Sequence, residues 1–156
     1  MTIYNVAEGG NAGGIKASFP AARLMTAQVD LGTLGEDEVS SGNVFSAADV
    51  IPVLNIPAYT FVLDAGLICT TAEDTTLTLD LGDGDDPNGY VDGYDAESTG
   101  VRLTAVDEGF GTDNVAGKLY ASADTIDLTI ATVGAQTAHQ CVVTVFAVVA
   151  GPIPTS

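Results

Sequence analysis

The residues with most chemical potential in this chain are aspartates. From Thr75 to Asp95 the sequence reads TTLTLDLGDGDDPNGYVDGYD, and Asp80, Asp83, Asp85, Asp86, Asp92 and Asp95 fall within sixteen residues. A hard cation such as calcium takes carboxylate, amide and carbonyl oxygens, with glycine letting the backbone turn around it. Asp83, Asp85, Asp86 and Asn88, spaced by Gly84 and Gly89, are the candidate calcium ligands. The loop does not match an EF-hand, because Pro87 stands where a third side-chain ligand belongs and no Glu closes it. The competing reading is a solvated turn in which Asp and Asn cap their own backbone. Close carboxylates repel unless screened or paired, which is the argument for an ion.

Other chemistry finds less support. Paired acids are the signature of glycoside hydrolysis, but these lie in glycine-rich loops and the chain has no Trp to platform a sugar. Tyr90 and Tyr94 could stack on a sugar ring, although Tyr at a loop base more often packs on the core. His139 is the one histidine and lacks any accompanying nucleophile motif, so it reads as a polar strand-end residue. Cys69 and Cys141 each fall in an expected strand. They read as buried thiols, with a single disulfide as the alternative. Two Cys and one His cannot supply the usual zinc ligand set without carboxylates. Gly82-x-Gly84 lacks the spacing of a dinucleotide loop, and its aspartates would repel phosphate. The expectation is a protein that is not an enzyme and has no cofactor beyond a calcium ion at the acidic loop.

The chain of 156 residues is long enough for one domain with a real core. Apolar residues make up 46 %, which is not a disordered composition. Twenty-one acids against four bases give a net charge of −17. Nucleic-acid binding needs Lys and Arg to displace counterions, and an anionic membrane would repel this chain, so neither partner is expected. No basic start with an apolar run marks a signal peptide, so synthesis in a cytoplasm is the expectation. Residues 1–25 contain only Glu8, Lys16 and Arg23 as charged groups and are rich in glycine; they read as an extended N-terminal arm on an acidic body.

The body, residues 26–150, alternates short apolar runs with turn signals. Strands are expected at 26–31, 49–56, 59–70, 75–81, 101–106, 118–121, 125–132 and 140–149. A polar loop is expected at 36–46 and a tail at 151–156. Pro52 fits an edge strand or bulge, and Gly66 suggests a bend or bulge. Ile126, Leu128 and Ile130 alternate with Asp127 and Thr129, as in a half-exposed strand. The strand at 140–149 is apolar on both faces and should be central. About eight strands with no convincing long helix give an all-β fold: a single antiparallel β-sandwich, jelly-roll-like, with an immunoglobulin-like sandwich as runner-up.

Three blocks carry a family resemblance. The run from Leu79 to Asp95, the segment Ile56-Pro57-Ala58-Tyr59-Thr60-Phe61-Val62-Leu63, and the segment from Tyr120 to Thr129 (YASADTIDLT) resemble, in order and spacing, segments of small head proteins of tailed bacteriophages. The resemblance spans roughly residues 50–150. It implies a capsid decoration (cement) protein on the outside of the virion, made in the host cytoplasm, commonly a homotrimer bound to the major capsid protein. It brings no catalytic residues. The alternative is a fibre component or a receptor- or carbohydrate-binding sandwich of a phage particle.

Overall fold

The computed structural model describes residues 22–34, 45–103, 117–134 and 139–151. Among the described residues nine strands form: β1 (Arg23–Asp30), β2 (Val50–Ile56), β3 (Thr60–Thr71), β4 (Leu77–Gly82), β5 (Val91–Asp95), β6 (Gly100–Leu103), β7 (Lys118–Tyr120), β8 (Asp124–Val133) and β9 (Val142–Ala150). Their pairings are all antiparallel. One sheet runs β1-β9-β3-β6, with β7 also on β3; the other runs β2-β8-β4-β5. β7 pairs with the first residues of β3 and β6 with its later ones, so β6 and β7 share one edge position. Counting that position once leaves eight strands in jelly-roll order.

Alternation builds the core. Leu77, Leu79 and Leu81 of β4 and Ile126, Leu128 and Ile130 of β8 are all 0 % exposed. Each such side chain contributes about 1.5–3 kcal/mol relative to exposure. Val143, Val145, Ala147 and Val149 of β9 meet them from the facing sheet, and β9 is central, between β1 and β3. β2 is an edge strand, and its register with β8 shifts between Pro52 and Leu54, where the missing N–H would have broken the ladder. After β1, residues 31–34 make one helical turn. Asp30 caps it by accepting the Thr33 N–H at 3.0 Å and the Thr33 hydroxyl at 3.1 Å.

The structure revises several sequence-based expectations. β5 was hidden inside the acidic run. Arg23, Leu24 and Met25 belong to β1, and residues 1–21, the rest of the expected arm, lie outside the described residues. The same is true of residues 36–44 of the expected polar loop and of residues 152–156 of the tail. The strand containing Asp127 and Thr129 is not half-exposed, since both are 8 % exposed. Asp127 pairs with Gly82, and the loop after β4 folds so close over Gly82 that a Cβ there would meet the Asp86 and Pro87 carbonyl oxygens at 2.0 and 2.5 Å.

Gly66 is not at a bend. It pairs in register with Leu103 and Phe146, and the bulges of β3 lie at Val62/Asp64 and Cys69/Thr71. Glycine is required because a Cβ would lie 2.3 Å from the Arg102 carbonyl oxygen and 2.8 Å from the Phe146 ring. Gly66→Ala is expected to destabilise by about 1–3 kcal/mol through overpacking. Thermal melting would read this as a loss of several degrees, and an unchanged melting temperature would show that β6 can shift without cost.

Candidate functional site

The acidic loop is held from inside the sandwich. Asp83, at the end of β4, is 2 % exposed. Its Oδ1 accepts the N–H groups of Asp85 (3.0 Å) and Asp86 (3.1 Å). Its Oδ2 accepts the Lys118 ammonium and, at 2.6 Å, the Tyr120 hydroxyl. Tyr120 gives its one proton to Asp83, so the Tyr90 hydroxyl must donate to the Tyr120 oxygen, 2.8 Å away. Burial alone would raise the Asp83 pKa. The bonds from Lys118 and Tyr120, the lysine's charge and the backbone N–H of Asp86 outweigh it and hold the carboxyl below its ordinary value. Burial pushes Tyr90 upward against the opposing bond with Tyr120, with the Asp83 charge adding to the rise, and burial together with Tyr90 and Asp83 pushes Tyr120 upward. Lys118 and Tyr120 lie on β7 and Asp83 follows β4, so this cluster ties one sheet to the other.

The four candidate calcium ligands occupy different environments. Asp83 is turned inward onto a cation that the chain itself supplies. Asp85 is exposed, its carboxylate 3.9 Å from Lys118. Asp86 is half-buried and Asn88 exposed. Among the described residues no three His, Cys, Asp or Glu side chains gather in a metal-holding group. Asp80 lies on the outer face of β4, where burial and the neighbouring Asp92 raise its pKa against the opposing hydrogen bond from the Gly93 N–H. Lys118 could not be foreseen as the partner of Asp83, because 35 residues separate them.

A second polar cluster closes the other end of β4. Glu73 is 3 % exposed. Its Oε2 accepts the N–H groups of Gln140 (3.2 Å) and Cys141 (3.4 Å) and faces His139 Nδ1 at 3.3 Å. The Glu73 N–H donates to the Ala96 carbonyl at 2.8 Å. His139 packs its ring against Phe45, 5.1 Å between centroids. Cys69 and Cys141 are buried free thiols beside this cluster. Burial pushes both thiols up, away from the thiolate a nucleophile needs. The sequence reading missed Glu73, whose type and neighbours gave no sign of burial. Tyr90 and Tyr94 are 0 % and 5 % exposed, so neither is available to stack on a sugar.

An open groove of about 350 Å³ lies between β1 and β2, lined by Ala27, Val29, Leu34, Ile51 and Val53 among others. Its ionisable lining residue is Asp30, already engaged in capping the helical turn.

The two outer faces differ in charge. The outer face of the four-stranded sheet carries Asp80, Asp92 and Asp127, and the Asp127 Oδ1 and Thr129 hydroxyl are buried without a partner in the described structure. On the five-stranded sheet the outward strand residues are largely apolar, with Asp30 and Asp64 their charged members. Leu24, Leu63, Val101 and Leu119 are 65, 40, 56 and 50 % exposed there. Beside them Tyr59 is 47 % exposed and adopts a φ of 59°, a conformation that bulky residues rarely take. Strain of this kind clusters where the surrounding structure has a use for it.

Comparisons with known proteins agree on the architecture. A chain from the capsid of Ralstonia phage GP4 matches with a TM-score of 0.62 at 15 % identity, over 91 % of this chain and 90 % of that one. A chain from the capsid asymmetric unit of cyanophage Pam1 matches with a TM-score of 0.51 at 18 % identity, over 95 % of this chain and 99 % of that one. No protein-family model and no curated protein matches. At these identities what is shared is the fold.

Proposed function

We propose that this chain is a structural component of a phage head, a decoration (cement) protein seated on the capsid exterior and stabilising contacts between capsomers. The observation that carries this reading is the jelly roll shared from end to end with a chain of the GP4 phage capsid, 91 % of one and 90 % of the other. The rest of the molecule is compatible with it. Its two polar clusters are spent holding the sheets together, and its most distinctive surface is a largely apolar sheet face suited to protein contact. The proposed partners are the major capsid protein and further copies of this chain, arranged as a homotrimer. The N-terminal arm would lie on one of these neighbours. Calcium at Asp83, Asp85, Asp86 and Asn88 belongs to the proposal only with Lys118 displaced, since the ammonium already fills the position an ion would take. The fibre or carbohydrate-binding reading loses its aromatic platform, because Tyr90 and Tyr94 are core residues.

Quantitative mass spectrometry of purified virions tests the proposal by counting this chain against the major capsid protein. The expected result is a fixed fraction set by the capsid lattice. A few dozen copies or fewer would move the protein to a vertex, fibre or tail, and complete absence would remove the virion reading.

A further inference from the structure

We infer that the apolar outer face of the five-stranded sheet is the docking surface for residues 1–21 of this chain. This extends the arm proposal by naming the receiving surface, and it stands whether or not the protein sits on a capsid.

Leu24, Leu63, Val101 and Leu119 each expose 40 % or more on one side of the molecule, and Phe146 lies between them at the centre of the same face. Asp64, in register with Val148, is the charged residue among them, and an exposed, largely apolar area of this kind marks an interaction site. The body of the chain is a poor occupant in electrostatic terms. Residues 22–156 hold twenty acids and three bases, while residues 1–21 hold one acid, Glu8, and one base, Lys16. The near-neutral segment can therefore approach an acidic molecule without the repulsion that most other stretches of the chain would meet. It also carries side chains to bury: Ile3, Tyr4, Val6, Ile15 and Phe19.

Position and length agree. The described chain begins at Ala22 and enters β1, the edge strand of this sheet, with Leu24 on the outer face. Residues 1–21 thus join at the rim of the surface they would cover. Extended, they reach about 70 Å at roughly 3.3 Å per residue. A sheet four strand positions wide is roughly 20 Å across. The segment can cross the face of its own copy or that of a neighbour.

Trypsin gives the first test on the purified full chain, because Lys16 lies within the segment. Cleavage after Lys16 is expected to be at least ten-fold slower than in a free peptide of residues 1–22. The double variant Val101→Asp/Leu119→Asp alters two exposed positions and should remove that protection while melting near the parent. Equal cleavage in protein and peptide would overturn the inference, as would protection that survives the double variant. Should the variant fail to fold, photo-crosslinking decides in the otherwise unaltered protein, with Leu119→p-benzoylphenylalanine as the probe. Crosslinks to residues 1–21, within one copy or between isotope-labelled copies, support the inference. Crosslinks confined to any other segment, such as residues 104–116, refute it.

Discussion

Asp83→Ala is expected to lower stability by about 3–5 kcal/mol, the cost of breaking a buried ion pair from one side. For a chain of this size that is a fall of about 10 °C in melting temperature. The variant leaves the Lys118 ammonium without its buried partner and the Tyr120 hydroxyl and the N–H groups of Asp85 and Asp86 without acceptors. Asp83→Asn keeps one oxygen for the backbone and should recover part of the loss. The pH dependence separates charge from shape. The Asp83 pKa in the folded state lies below the ordinary aspartate value. A depressed folded pKa means that its stabilisation is fully present above the unfolded value and is lost as pH falls through the folded one. Stability of the parent should therefore fall more steeply below pH 4 than that of Asp83→Asn. Asp80 works in the opposite sense: its raised pKa adds stability at acid pH that is lost as pH rises through the folded value. Parallel acid curves for the parent and Asp83→Asn would show that the carboxylate contributes no net charge interaction. Melting in calcium and in a chelator reads the ion directly. With Lys118 as the counter-ion the two curves coincide, and a gap between them would assign the loop to calcium.

What could be read from the sequence follows from which interactions are local. Leu77, Leu79 and Leu81 alternate without interruption, and so do Ile126, Leu128 and Ile130, so β4 and β8 announce themselves. Pro52 identifies an edge because its missing N–H excludes a central position whatever surrounds it. β5 was illegible because Val91 and Tyr94, its two buried residues, are separated by Asp92 and Gly93, and the register with β4 shifts between Leu79 and Leu81. Gly66 signals a need for glycine but not its cause, which is a neighbouring strand and the ring of Phe146. Asp127 is buried where it pairs with Gly82, 45 residues away. The acidic run drew attention as a ligand site by composition. Its inward-facing member is recognised only when β7, from the other sheet, brings Lys118 and Tyr120 to it. The charge asymmetry of residues 1–25 was visible at once, whereas the largely apolar face of the five-stranded sheet appears only after the strands are paired.

Glu73→Ala should cost about 2–4 kcal/mol, since it strands the buried Cys141 N–H and the part-buried Gln140 N–H, about 1–3 kcal/mol for a buried group, and leaves a small void. Glu73 lies between β3 and β4, yet its carboxylate supplies the acceptor for Gln140 and Cys141, where the chain turns into β9. β9 is the central strand of its sheet, flanked by β1 and β3. Loosening its first residues therefore exposes the ladder on both sides, and the effect should be local before it is global. Hydrogen exchange is the measurement that sees this. The amides from Cys141 to Val143 should exchange at least ten-fold faster in Glu73→Ala, with Leu79 and Leu81 of β4 changing only by the global loss of stability. Glu73→Gln retains an acceptor oxygen and should restore most of the protection. His139→Ala removes the ring on Phe45 but leaves both N–H bonds intact, and its effect should be smaller than that of Glu73→Ala. If His139→Ala proved the more damaging, the pairing of Glu73 with the histidine, and not its capping of β9, would be what closes this end of the sandwich. Uniform exchange across all strands in Glu73→Ala would instead mean that the cluster guards the whole fold and has no separate local role.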